Sequence, residues 1–155
     1  MRASRLGFIC LLVNVGCASG DGGTGPAQNL PQGSMSARID GANWAASAGL
    51  AGTWSGGILS IAGTAAASQT LGFATFASGP GTYTIAGTVG TNALLTIGAT
   101  GTGWSAVSTR GSGTITVNSI TATGAAGTFS FVLVPATGTG SNKNITEGRF
   151  DVKFQ

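Results

Sequence analysis

Between Met35 and Phe154 the apolar residues recur at every second position, and no stretch carries them at the spacing of a helix face. Period two belongs to a strand, whose side chains point alternately to opposite faces, so this pattern commits the chain to sheet. Nine segments show it. Met35-Ser-Ala-Arg-Ile39 ends at the turn pair Asp40-Gly41, Leu59-Ser-Ile61 follows Gly56-Gly57, and Leu71-Gly-Phe-Ala-Thr75 runs into Ser78-Gly-Pro-Gly81. Tyr83-Thr-Ile85, Leu95-Thr-Ile97, Trp104-Ser-Ala106, Ile115-Thr-Val117 and Phe129-Ser-Phe-Val-Leu133 come next. The last is Phe150-Asp-Val-Lys-Phe154, which sets three apolar residues against Arg149, Asp151 and Lys153 on the other face. Glycine-rich breaks separate the segments, as turns between strands require.

The background of this pattern is small and uncharged. Gly, Ala, Ser and Thr make up more than half of the 155 residues, and charged residues are 7% where about a quarter is ordinary. Apolar residues are sparse, but the net charge is far too low for a chain kept disordered by self-repulsion, and threonine favours strands. The expectation is an all-β antiparallel β-sandwich of about eight or nine strands, with an up-and-down β-barrel as the alternative. In so thin a core the last strand cannot be optional: Phe150, Val152 and Phe154 are expected to be buried. Three strand starts repeat one solution, Gly81-Thr-Tyr-Thr-Ile, Gly113-Thr-Ile-Thr-Val and Gly127-Thr-Phe-Ser-Phe, read as a turn-ending glycine with outward threonines. Their offsets differ, so this is no solenoid repeat.

Before the sheet pattern begins, the chain has a different character. Met1–Arg5 holds two arginines, and Leu6–Gly16 is an apolar run of eleven residues, too short for a bilayer span of about 20. That is the build of a signal peptide over residues 1–16. Gly16-Cys17-Ala18 and the Gly/Ser-rich stretch behind it resemble the lipobox of bacterial lipoproteins, with Asn14 where that motif usually has leucine. The resemblance implies that the Cys17 thiol is lipidated and becomes the mature N-terminus. The other outcome is an ordinary cut near Ala18 or Gly20. Residues 17–33, with Pro26, Pro31 and five glycines, read as a tether between that anchor and a domain over 34–155. Its residues 18–33 reach at most about 55 Å when extended. Gly20-Asp-Gly-Gly-Thr-Gly25 fits a nucleotide fingerprint by spelling only, since it follows no strand and precedes a proline.

Ala37-Arg-Ile-Asp-Gly-Ala-Asn-Trp44, Gly111-Ser-Gly-Thr-Ile-Thr-Val and Ile145-Thr-Glu-Gly-Arg-Phe-Asp-Val, taken with the three repeated starts, resemble a known grouping. It is an uncharacterised family of bacterial envelope lipoproteins with an all-β domain of unknown function. The similarity runs from Met35 to Gln155 and implies a cell-envelope location, membrane-anchored at the outer membrane, with a secreted or periplasmic protein as the alternative. It supplies no catalytic residue.

Chemistry is scarce in the remaining residues. There is no histidine, and both cysteines, Cys10 and Cys17, precede the sheet region. Ser-His-Asp and Cys-His nucleophilic sites, Cys-ligated zinc and disulfides are therefore excluded from the domain. Four acids, Asp21, Asp40, Glu147 and Asp151, are too scattered to suggest a calcium site or a glycosidase pair. Asp40 and Glu147 both read as turn residues before glycine. No metal or cofactor is expected. Beyond Arg2 and Arg5, five basic residues face the four acids, which gives no electrostatic reason to bind nucleic acid.

Aromatic residues are the one ligand-binding lead: Trp44, Trp54, Trp104 and Tyr83 could form a flat platform for stacking sugars, against a structural role for most of them. Trp54, in Gly52-Thr-Trp-Ser-Gly56, reads as a ring in a flexible polar setting; Trp44 reads as a plug at one end of the fold, and Trp104 as inward with Ala106. The Thr-x-Thr pairs at 82/84, 100/102, 114/116, 121/123 and 137/139 resemble ice-binding arrays, but their irregular spacing predicts no ladder. The reading is a non-catalytic, lipid-anchored envelope protein whose partners are the membrane and a glycan or envelope protein. The alternative is a carbohydrate-binding module using exposed tryptophan.

Overall fold

The computed structural model describes residues 33–98, 102–136 and 140–154. The signal segment, Cys17, most of the tether and the Thr-x-Thr pair at 137/139 lie outside the described residues. Eleven strands follow in order: β1 (Ser34–Ile39), β2 (Ala42–Ala45), β3 (Ala48–Ser55), β4 (Ile58–Ala65), β5 (Gln69–Phe76), β6 (Gly81–Thr84), β7 (Asn92–Ile97), β8 (Thr102–Ala106), β9 (Ser112–Thr121), β10 (Gly124–Pro135) and β11 (Lys143–Lys153). One 3₁₀ turn, Ala66–Ser68, joins β4 to β5. No helix among the described residues is long and apolar enough to cross a membrane.

The expected all-β antiparallel architecture is what forms. One half of the sheet has the order β2-β1-β11-β10-β9-β6, and the other β3-β4-β5-β7-β8. They are joined where the end of β10 pairs Val134 with Ser105 and Pro135 with Trp104 of β8. The two facing layers are thus parts of one continuous eleven-stranded sheet, curled into a half-barrel. On the far side, a single parallel bridge from Gly52 to Phe154 brings β3 against the end of β11.

The core fills the curl. Phe73 of β5 meets Phe129, Phe131 and Phe150 of the facing half at ring-centroid distances of 5.2, 5.9 and 5.4 Å. Each buried phenylalanine contributes about 1.5–3 kcal/mol by leaving water. Leu59, Ile61, Leu71, Leu95, Ile115, Leu133 and Ile145 complete the buried layer. Phe150 and Val152 are buried as the alternation requires, whereas Phe154 packs half-buried at the rim.

Two strands lie beyond the nine segments read from alternation. β2 presents one buried residue, Trp44, in a four-residue strand, too short for a period. β3 faces the core with Gly52, where an apolar side chain would be sought. A Cβ there would stand 2.8 Å from Val152 Cγ2, so the close approach of β11 dictates glycine and erases the pattern. Trp54 therefore belongs to a paired strand, not to a flexible loop. The repeated glycines also need correction. Gly127 is in mid-strand, where a Cβ would run into the Thr116 carbonyl and the Phe150 ring, so it makes room rather than ending a turn.

Candidate functional site

The three tryptophans occupy separate strands. Trp44 on β2 is buried in the core, and its indole N–H finds no hydrogen-bond partner among the described residues. Trp104 on β8 is half-buried; it donates Nε1–H to the Ser141 carbonyl at 3.0 Å, and the Lys143 ammonium lies 5.3 Å from its ring centroid. Trp54, near the end of β3, is more than a third exposed and donates Nε1–H to the Ala77 carbonyl at 3.1 Å. The close aromatic pairs among the described residues are all phenylalanine. The three indoles thus form no common platform, and Trp54 is the ring left open to a ligand.

The carboxylates are tied into the backbone where β1, β2 and β11 meet. Asp40 and Gly41 form the two-residue turn between β1 and β2, with φ of 50° and 83°. Positive φ at both positions suits a tight hairpin, and Asp tolerates it better than most residues. The Asp40 carboxylate accepts from Lys143 Nζ at 2.7 Å and from the Asn144 N–H at 2.9 Å. The Lys143 hydrogen bond, then the Asn144 N–H, hold its pKa below the usual carboxylate value. Lys143 thereby bridges the Asp40 turn to the Trp104 ring.

Glu147 departs from the sequence reading. It lies within β11, not in a turn, at a β-bulge with φ of 52°. Between Ile145 and Gly148 there is one residue more than between their partners Phe131 and Phe129, and β1 shows the same shift opposite Arg149 and Thr146. The extra residue resets the alternation, so Ile145, Gly148 and Phe150 all face the core. Glu147 Oε2 accepts from Arg38 Nε at 3.0 Å, an exposed pair of small energetic weight.

The outer faces of the two halves differ. On one, the strand register aligns Thr82, Thr116 and Thr128 in a row, beside Thr84, Thr114 and Ser130. Threonine pairs irregular in sequence thus make a hydroxyl grid three strands wide, because hairpin register rather than repeat spacing sets their neighbours. Thr114, Thr116, Thr128 and Ser130 line a shallow groove of about 270 Å³ with Glu147 and Arg149. The other half carries a groove of about 350 Å³ over Ala51, Ala62, Gly72 and Ala74, bordered by Thr53 and Leu94. Here the sequence held a signal that alternation hides: from Gly41 to Thr109 there is no charged residue. Strands β2 to β8 are therefore entirely uncharged.

A family model described as Domain of unknown function (DUF6252) matches residues 32–152. No curated protein and no solved structure matches the chain.

Proposed function

The chain belongs to the DUF6252 family, a domain of unknown function, and on that premise we propose a non-catalytic, lipid-anchored cell-envelope protein whose β-domain works by binding or as structure. The observation that carries this reading is the N-terminal unit: a basic start, the apolar run Leu6–Gly16, then Cys17 and a glycine-rich tether. A diacylglyceryl group on Cys17 would anchor the protein without a spanning helix, since two acyl chains hold where one is marginal. The tether then displays the domain at the membrane, in keeping with an outer-membrane site.

The domain's acids fit a structural role. Asp40 is kept ionised by Lys143 and the Asn144 N–H, far from the near-neutral pKa that suits a general acid or base. Glu147 serves a bulge and an ion pair with Arg38. Detergent phase partitioning tests the anchor. The wild-type chain is expected in the detergent phase, and Cys17→Ser and Cys17→Ala in the aqueous phase. Variants that stay with the detergent would overturn the reading.

A further inference from the structure

Six large apolar side chains are exposed among the described residues, and four of them gather at one end of the uncharged half. Trp54 (36% exposed) is next to the last residue of β3, and Ile58 (39%) opens β4 directly after the Gly56-Gly57 turn. Phe76 (46%) ends β5 as the cross-strand partner of Ile58. Val89 (86%) sits in the loop before β7, held there because Gly90 packs on the Phe76 ring. The register sets Ile58 and Phe76 on the outer face and Trp54, opposite Leu59, on the inner one, so the four share one end of the sheet and flank its rim from both sides. Exposed apolar side chains gathered at one end mark a contact site.

Topology places the tether at the same end. The Gly33 N–H donates to the Asp151 carbonyl at 2.8 Å, and Ser34 pairs with Asp151 near the end of β11. Since β1 runs antiparallel to β11, Gly33 and the start of β1 lie at the end where β11 finishes. β3 runs parallel to that end through the Gly52–Phe154 bridge, with Trp54 two residues further on. The 32 residues that precede Gly33, Cys17 among them, thus join the domain at the apolar end.

We infer that Trp54, Ile58, Phe76 and Val89 form a tip that inserts into the headgroup–acyl boundary of the bilayer holding the Cys17 lipid. This deepens the proposed anchoring and rests on it. Insertion requires that no charge be desolvated: the tip's strands carry none, and the cations toward the same end, Lys153 on β11 and Arg110 after β8, are exposed on long stems that keep their charge among the headgroups. It also requires that no hydrogen-bond donor be stranded. The Trp54 indole N–H already donates to Ala77, so the ring enters paired, and tryptophan favours this interfacial zone. The lipid alone leaves the domain free to swing on its tether; the tip fixes which end faces the membrane.

The test uses full-length lipidated protein in phosphatidylcholine vesicles with brominated acyl chains, reading tryptophan emission. Strong quenching is expected, most of it lost in Trp54→Phe and in an Ile58→Asp/Phe76→Asp variant, while both variants stay membrane-bound through Cys17. Binding without a basic patch also predicts that quenching is insensitive to salt. An unquenched wild type, or quenching that Trp54→Phe leaves intact, would overturn the inference while the anchor stands. If the chain carries no lipid, the anchor fails separately, and the same chain is added to the vesicles from solution. Quenching removed by Trp54→Phe then upholds the tip, and its absence ends it. A dimer broken by Phe76→Asp, with no quenching, would assign the cluster to a second copy and overturn the inference.

Discussion

Asp40 holds a left-handed backbone conformation and still closes two contacts on β11, so its carboxylate serves as a pin between hairpin and last strand. Its lowered pKa, caused first by Lys143 and then by the Asn144 N–H, makes the pin acid-sensitive. The folded pKa lies below the unfolded one, so the stabilisation is complete above the ordinary value of 3.8 and fades as pH falls below it. Asp40→Asn keeps an oxygen for the Asn144 N–H and tolerates the backbone angle, removing the charge alone. It should cost about 0.2–1 kcal/mol at neutral pH, the range of a solvent-exposed pair. In melts across pH, the gap to wild type should close in acid. Gly52 offers a harder constraint: a Cβ there meets Val152 Cγ2 at 2.8 Å. Gly52→Ala should lose about 1–3 kcal/mol through overpacking, read as a lowered denaturation midpoint.

β11 shows what alternation can and cannot convey about an element. Phe150, Val152 and Phe154 against Arg149, Asp151 and Lys153 were legible as a strand with a buried face, and the first two are fully buried. A charge at Val152 should therefore unfold the domain, while Lys153→Glu should stay within about 0.5 kcal/mol; equal thermal melts would contradict the assignment. The first half of the same strand was hidden, because the bulge at Glu147 puts Ile145 and Phe150 on one face at an odd separation. Deleting Glu147 would excise the bulge and leave Ile145, Gly148 and Phe150 alternating on the core face, in step with Phe131 and Phe129 of β10. The deletion variant should therefore still unfold cooperatively, as should Glu147→Gly, which suits the positive φ; loss of the cooperative transition on deletion would contradict the bulge. β2 and β3 escaped notice for another reason: one is too brief for a period, and the other buries a glycine. Trp44 and Trp104 sit in the core and against Lys143, contacts made across strands that no local spacing encodes.

Among the described residues charge is segregated: Arg38, Asp40, Lys143, Glu147, Arg149, Asp151 and Lys153 lie on β1, β11 and the turn beside them, Arg110 lies in the turn after β8, and β2 to β8 carry none. Composition revealed the scarcity of charge; the topology alone shows that five of the neutral strands, β3, β4, β5, β7 and β8, make one half of the curl with the apolar tip at one end, while β2 and β6 edge the other half. If that half meets lipid rather than sugar, a glycan array should show no binding, and Trp54→Ala should change nothing; specific binding lost in Trp54→Ala would favour the carbohydrate alternative. Both the tether and the tip depend on the lipid anchor at Cys17. Intact-mass analysis of the chain recovered from membranes tests it directly. The predicted result is a chain beginning at Cys17 with the added mass of its acyl groups. An unmodified chain beginning at Ser19 or Asp21 would contradict it.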